Sequence, residues 1–438
     1  MSSYATLSRG FAEGIGSPRD LLEACLARIE EREPVVRAFA AIGAEAARRA
    51  ADASTARWRA GTPFSAIDGM PIALKDILET ADLPTGFGSP IFAGKQSGRD
   101  SAVAWALRRA GAVIVGKAVT TEFADMVAGP TTNPHDPART PGGSSSGSAA
   151  AVAAGMVPVA IGSQVGGSIL RPASFCGVVG IKPTFGAINR GGISDQFSQN
   201  VLGTLSATLE DGWAVCHAIA SIAGGDPGHA PFVGGPVPQA PRRPGTLAVL
   251  QTAGWAVAEP GAIDAFQGFL RRLAADGVHL IDRTTSPRVA LLEEAIAEAG
   301  PISQAINHWE KAWPLAELET RHGEAVSAHL REGIAAGRRM TMDEYRVLLH
   351  RRDIMRERLA LLADEAEACI TLAAPGPAPL GLASTGNSIF NVPGSALRCP
   401  AISLPKLSVG GLPLGVQLLG QALGERALSG VAAYVAAL

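Results

Sequence analysis

An α/β layered fold is the architecture this sequence predicts, and three observations predict it. Helical stretches alternate with short apolar runs, and a glycine separates the two, as in residues 100–110, Gly111 and residues 112–115. The short runs, IAL at 72–74, CITL at 369–372, AISL at 401–404 and VQLL at 416–419, fit buried strands and are too short for helices. Residues 141–186 join two Gly/Ser loops through a small-residue helix, with Ala- and Val-rich sequence on both sides. That continuity rules out a flexible linker there, and one domain over residues 1–438 is expected.

Taken in order, Ser17 is a helix N-cap with Pro18 at the first helical position. Leu21, Leu22, Cys25, Leu26 and Ile29 then form one apolar face, and the helix is expected to stop near Glu33-Pro34. Residues 44–60, rich in Ala and Arg, predict a surface helix. Residues 67–71 are a turn into the strand 72–74, with Lys75-Asp76 at its end. After the 141–186 stretch, residues 191–203 are expected to be irregular, polar and close to a substrate. Helix is predicted over 208–223, a Gly/Pro-rich surface loop over 224–244, strand over 246–250, amphipathic helix over 261–275 and strand over 277–281. Residues 289–367 are mostly helical, with breaks at Pro301, Pro314 and Thr341.

Composition narrows the function. Hydrophobic residues make up 47%, enough for a sizeable core, and the net charge of −2 without a basic run argues against nucleic acid or anionic membrane as partners. The N-terminus has no signal-peptide core, and no apolar run approaches the ~18 residues of a membrane span, so a cytoplasmic protein is expected. Cys25, Cys176, Cys216, Cys369 and Cys399 are scattered and read as buried, reduced thiols. The eight histidines lack metal-ligand spacing, so no metal is expected, and His135 reads as a turn residue.

The chemistry concentrates in the two loops, 142–147 (GGSSSG) and 162–168 (GSQVGGS), with residues 149–154 as the helix between them. A nucleophile elbow fits G-x-S-x-G at 143–147 formally, but a loop precedes it where a strand is required. A phosphate loop is excluded at 111–117, where the interior is a β-branched strand and Ala118 replaces the required Ser or Thr. Lys75 could snorkel to solvent from the strand end.

The remaining reading is an amidase with a serine nucleophile and no histidine. GGSSSGSAAAVAAG followed by GSQVGGSILRPASFCGVVGIKPTFG closely resembles the amidase signature family. So do GMPIALKD at 69–76, GAVIVGK at 111–117, EFA at 122–124, AAPGPAP at 373–379, STG at 384–386 and GLPLGVQ at 411–417. The resemblance covers nearly the whole chain and implies a large mixed β-sheet covered on both faces by helices. It implies Ser168 as nucleophile, Ser144 as a bridging serine after a cis Gly143–Ser144 peptide, and Lys75 as base. Burial disfavours a charged ammonium, which suits a lysine acting as a base. The backbone N–H groups of Val165, Gly166 and Gly167, with that of Ser168, are the expected oxyanion hole.

Two positions depart from the commonest family pattern: Gln164 stands where many members carry Asp, and Leu170 stands where they carry Arg, with Arg171 one place later. Both resemble malonamidase-type members, in which that arginine binds the substrate carboxylate. Arg171 is therefore expected to read an acid group, with a structural ion pair as its alternative; Ser163 and Gln164 are candidates to orient Lys75 or the substrate, and Gln304 is a candidate for the substrate pocket. The implied activity is hydrolysis of a small linear amide, malonamate-like, to acid and ammonia without a cofactor; a homodimer is compatible with this. The alternatives are a neutral aryl- or indole-acetamide amidase, and the glutaminase-type subunit of a tRNA-dependent amidotransferase.

Overall fold

The computed structural model describes residues 3–193 and 197–438. Among these, eleven strands form one sheet: β1 (Phe39–Ile42), β2 (Pro71–Lys75), β3 (Val113–Ala118), β4 (Val159–Gln164), β5 (Val179–Lys182), β6 (Val201–Ser206), β7 (Thr246–Val249), β8 (His279–Ile281), β9 (Ala368–Leu372), β10 (Ala401–Val409) and β11 (Leu412–Leu419). Their order is β1-β3-β2-β4-β6-β5-β10-β11-β9-β7-β8. β2 runs parallel to β3 and β4, and β7 parallel to β8 and β9, while the remaining pairs are antiparallel, so the sheet is mixed as expected.

Fourteen helices accompany the sheet among the described residues: α1 (Tyr4–Ala12), α2 (Pro18–Val36), α3 (Ala44–Arg59), α4 (Ala102–Arg109), α5 (Ser146–Ala153), α6 (Leu170–Cys176), α7 (Leu209–Ala223), α8 (Pro260–Ala275), α9 (Pro287–Ile296), α10 (Ala299–His322), α11 (Ala328–Arg339), α12 (Met342–Leu361), α13 (Val392–Ala396) and α14 (Glu425–Ala437). Every residue of β2, β3, β4 and β6 is buried, so both faces of the sheet are covered. Side chains alternate between the faces. Ile72, Leu74, Ile114, Val159 and Ile161 belong to the same core cluster as residues of α4 and α7, and Ala73, Val113, Val115 and Ala160 to that of α2, α5 and α6. Among the described residues no helix is long and apolar enough to cross a membrane.

Several boundaries differ from expectation for identifiable reasons. α2 continues through Pro34 to Val36, because the proline falls in the last turn, and Arg37 closes the helix in the left-handed region at φ 54°. Pro301 lies in the first turn of α10, where a missing N–H costs nothing, whereas Pro314 sits inside the helix and does not end it. The break at Thr341 is real: its side chain and that of Glu344 form a reciprocal cap on α12. Of the stretch 191–203, residues 201–203 are strand and not irregular, since β6 begins at Val201; residues 194–196 of it lie outside the described residues. His135 occupies a turn, with Nε2 2.9 Å from the Cys176 carbonyl, and all five cysteines are buried and unpaired.

Candidate active site

Lys75 is the final residue of β2, held between β3 and β4. It is fully buried and does not reach solvent. Its Nζ donates to Ser144 Oγ and to Ser163 Oγ, each at 2.7 Å. Ser163 is on the neighbouring strand β4, and Ser144 lies just before α5, following the cis Gly143–Ser144 peptide.

The small residues of α5 explain how its N-terminus comes so close. A Cβ on Gly147 would stand 2.2 Å from the Ala38 carbonyl oxygen and 2.4 Å from Val119 N, so only glycine fits that crossing. Ala149, Ala150 and Ala151 are completely buried. The serine hydroxyls fasten the helix to the sheet: Ser145 Oγ donates to the Ser163 carbonyl (3.2 Å), Ser148 Oγ to the Ile161 carbonyl (2.9 Å) and Ser146 Oγ to the Val119 carbonyl (3.2 Å).

Ser168 lies in the loop between β4 and α6, half-buried, and its carbonyl accepts from Ser145 N at 3.3 Å. The two serine-bearing loops are thereby joined. Among the described residues, the N–H groups of Val165, Gly166, Gly167 and Ser168 have no acceptor in the protein. The next two do: Ile169 N and Leu170 N each donate to Gln164 Oε1 at 3.0 Å. A run of four unclaimed amides beside a half-buried serine is an arrangement suited to a developing oxyanion.

The amidase family profile matches residues 20–428, nearly the entire chain. The chain belongs to the amidase family. It is 32% identical over a 467-position alignment to a glutamyl-tRNA(Gln) amidotransferase subunit of Chloroflexus aurantiacus, covering 93% of this chain and 91% of that protein. Among solved structures, an amidase superimposes with a TM-score of 0.85 at 26% identity, covering 99% of both chains. A chain from a vestigial protein complex connected with the origins of an s-triazine catabolic enzyme gives 0.85 at 27%, covering 99% of this chain and 98% of that one. This amidase is accordingly a hydrolase of carbon–nitrogen amide bonds.

In the amidase the other candidate residues fall into two groups. Arg171, 2% exposed, donates to the carbonyls of Gly386 (2.7 Å) and Gly143 (2.6 Å) and to Thr385 Oγ1 (2.9 Å), while its Nε has no partner. Among the described residues no carboxylate pairs with it, and burial pushes its pKa down to about 10. Gln164 is fully buried, and its Nε2 donates to Ser395 Oγ at 3.0 Å, so both ends of its amide are engaged within the protein. Gln304 is exposed on α10; its neighbour Ser303 is buried, its carbonyl accepting from Gln199. Asn391 and Ser395, at α13, were not singled out by sequence reasoning. Ser395 Oγ donates to the Gly166 carbonyl at 2.8 Å, and a Cβ on Gly167 would meet Asn391 Oδ1 at 2.7 Å. Two isolated polar residues more than two hundred positions from the loop they brace carry no local signal.

Proposed function

We propose that the chain hydrolyses a small linear amide to a carboxylic acid and ammonia through an acyl-enzyme on Ser168. The observation that carries this reading is the buried Lys75–Ser144 hydrogen bond, next in sequence to Ser145, whose N–H donates to the carbonyl of a half-buried Ser168 in a loop with four unclaimed amides. Ser168 Oγ attacks the amide carbonyl; its proton passes to Ser144 Oγ, and that of Ser144 passes to the amine form of Lys75. The carbonyl oxygen gains the negative charge opposite the N–H groups of Val165, Gly166, Gly167 and Ser168. Return of the proton from Lys75 through Ser144 to the departing nitrogen breaks the C–N bond and releases ammonia. Water, deprotonated along the same relay, then cleaves the acyl ester.

The substrate proposed is an acidic amide of the malonamate type. Arg171 supports it: a buried guanidinium one hydrogen bond from the Gly143 carbonyl has no carboxylate partner among the described residues, and a substrate carboxylate would offset its charge. The second reading is the glutaminase component of a tRNA-dependent amidotransferase, favoured by similarity, along most of both chains, to the Chloroflexus amidotransferase protein. Ammonia release from malonamate, succinamate, phenylacetamide and glutamine, beside Ser168→Ala, separates the readings. Turnover of malonamate by the isolated chain, lost in the variant, supports the first. Glutamine turnover that appears only with a second protein bound supports the other.

A further inference from the structure

The four unclaimed amides need fixing, because an N–H in a loop otherwise points wherever the peptide plane turns. We infer that Gln164 and Ser395 form a positioning pair that sets the peptide plane carrying the Gly167 N–H, an inference that rests on Ser168 being the nucleophile. A trans peptide is planar and holds its N–H opposite its C=O. Ser395 Oγ donates to the Gly166 carbonyl at 2.8 Å, which aims the N–H of Gly167, in the same peptide unit, to the other side. Arg171 N donates to the Gly167 carbonyl at 2.9 Å and aims the N–H of Ser168 in the same way.

Gln164 anchors both ends of the loop. Its oxygen takes Ile169 N and Leu170 N, and its nitrogen donates to Ser395 Oγ. The direction of donation matters. A serine hydroxyl has one proton, and here it is spent on the Gly166 carbonyl. The residue facing Ser395 must therefore donate to it, which an amide does and a carboxylate does not. Gln164 and Ser395 are both at most 1% exposed, so water does not readily substitute for either bond. The nucleophile loop thus requires a neutral, donating side chain at position 164, and Gln164 acts through the loop and not on the substrate.

The test uses the full-length protein and a small alkyl fluorophosphonate, in which the serine oxygen bonds to phosphorus and fluoride departs. Labelling rates are measured for the parent, Gln164→Ala, Ser395→Ala and Gln164→Glu, and peptide mapping identifies the labelled serine. Thermal unfolding establishes that each variant is folded at the assay temperature. Label on Ser168 in the parent sustains the underlying reading; label elsewhere overturns both that reading and this inference. With Ser168 labelled, both alanine variants are expected to react at least about tenfold more slowly, since losing a single oxyanion donor costs ~10²–10³ in rate.

Gln164→Glu supplies the readout that a packing role would not move. Its carboxylate still accepts from Ile169 and Leu170, but it competes for the Ser395 proton. Protonated, the same group donates as the amide does. Burial raises a carboxyl pKa, so its rate relative to the parent at the same pH should climb as pH falls from 8 to 5. The relative rates of Gln164→Ala and Ser395→Ala should stay flat. A flat ratio for Gln164→Glu, or parent-like labelling in Ser395→Ala, overturns the inference. Should either alanine variant not fold, Gln164→Glu carries the test alone.

Discussion

Replacing Arg171 with methionine separates two roles that one side chain has been given. The substitution removes three hydrogen bonds, to the Gly143 and Gly386 carbonyls and to Thr385 Oγ1, at 2.6 to 2.9 Å. Two carbonyls are left beside a group that is 2% exposed, and each stranded polar group costs ~1–3 kcal/mol. The loss is therefore ~2–6 kcal/mol, moderated because an unpaired buried charge goes too. Set against a total stability of ~5–15 kcal/mol, that is a clear shift of the urea midpoint in a protein that still folds. Activity is then compared on malonamate and phenylacetamide well below the melting temperature of the variant. A hydrogen bond to a charged group contributes ~1.5–3 kcal/mol, and each ~1.4 kcal/mol is a factor of ten. kcat/KM for malonamate should fall about 10- to 150-fold further than for phenylacetamide. Equal losses on the two substrates would refute the acid-reading role, and an unmoved midpoint would refute the bracing one.

Three further outcomes are expected. Lys75→Met should lower kcat by ~10²–10⁴, the usual contribution of a general base, whereas Ser163→Ala should cost about tenfold. Gly167→Ala should lose most activity, because the new Cβ would meet Asn391 Oδ1 and Ser388 Cβ at 2.7 Å; Gly166→Ala, with nothing closer than 3.7 Å, should retain it. Asp211, which accepts from Tyr4 N at 2.8 Å, has its pKa pushed up to about 6 by burial. Between pH ~4 and ~6 the folded state holds a proton that the unfolded chain releases, so stability falls as pH rises through that window. Asp211→Asn keeps the acceptor without the charge and should gain ~1–3 kcal/mol over the parent at pH 7.5 and little at pH 4, read from urea unfolding at both.

The layered architecture was legible because it rests on local signals: apolar runs of strand length, capping serines and glycines at helix ends. Ser17, Pro18 and Thr341 do in space what their side-chain chemistry predicts. The juxtaposition of Lys75 and Ser144 was legible for another reason: GMPIALKD and GGSSSG are long, specific strings, and the resemblance placed two residues sixty-nine positions apart at one point. The failures share a cause. Pro34 and Pro314 looked like stops, yet a proline in a last turn loses little, and packing of a long helix outweighs one missing bond. β1, β4, β5 and β6 escaped notice as strands, and residues 162–164, a loop by composition, are the end of β4. Gln304 was placed by resemblance alone, and periodicity turns it outward while Ile302, Ser303 and Ile306 face the core. For Arg171 the residue type was informative but its partners were not: backbone carbonyls leave no mark on a sequence.

Those partners also lie late in the chain. Lys75, Ser144 and Ser168 all lie in the first half of the sequence, but the bonds that hold their surroundings reach to Gly386 and Ser395, across 215 to 231 residues. During synthesis, some two hundred further residues are added after Ser168 before the Ser395 side chain that braces its loop exists. On the reading proposed above, Ser168 is present over that interval without its oriented amides. On that reading, the distance along the polypeptide between Ser168 and its braces is a built-in delay, in which an amide-cutting centre stays incomplete until the late segments have folded around it.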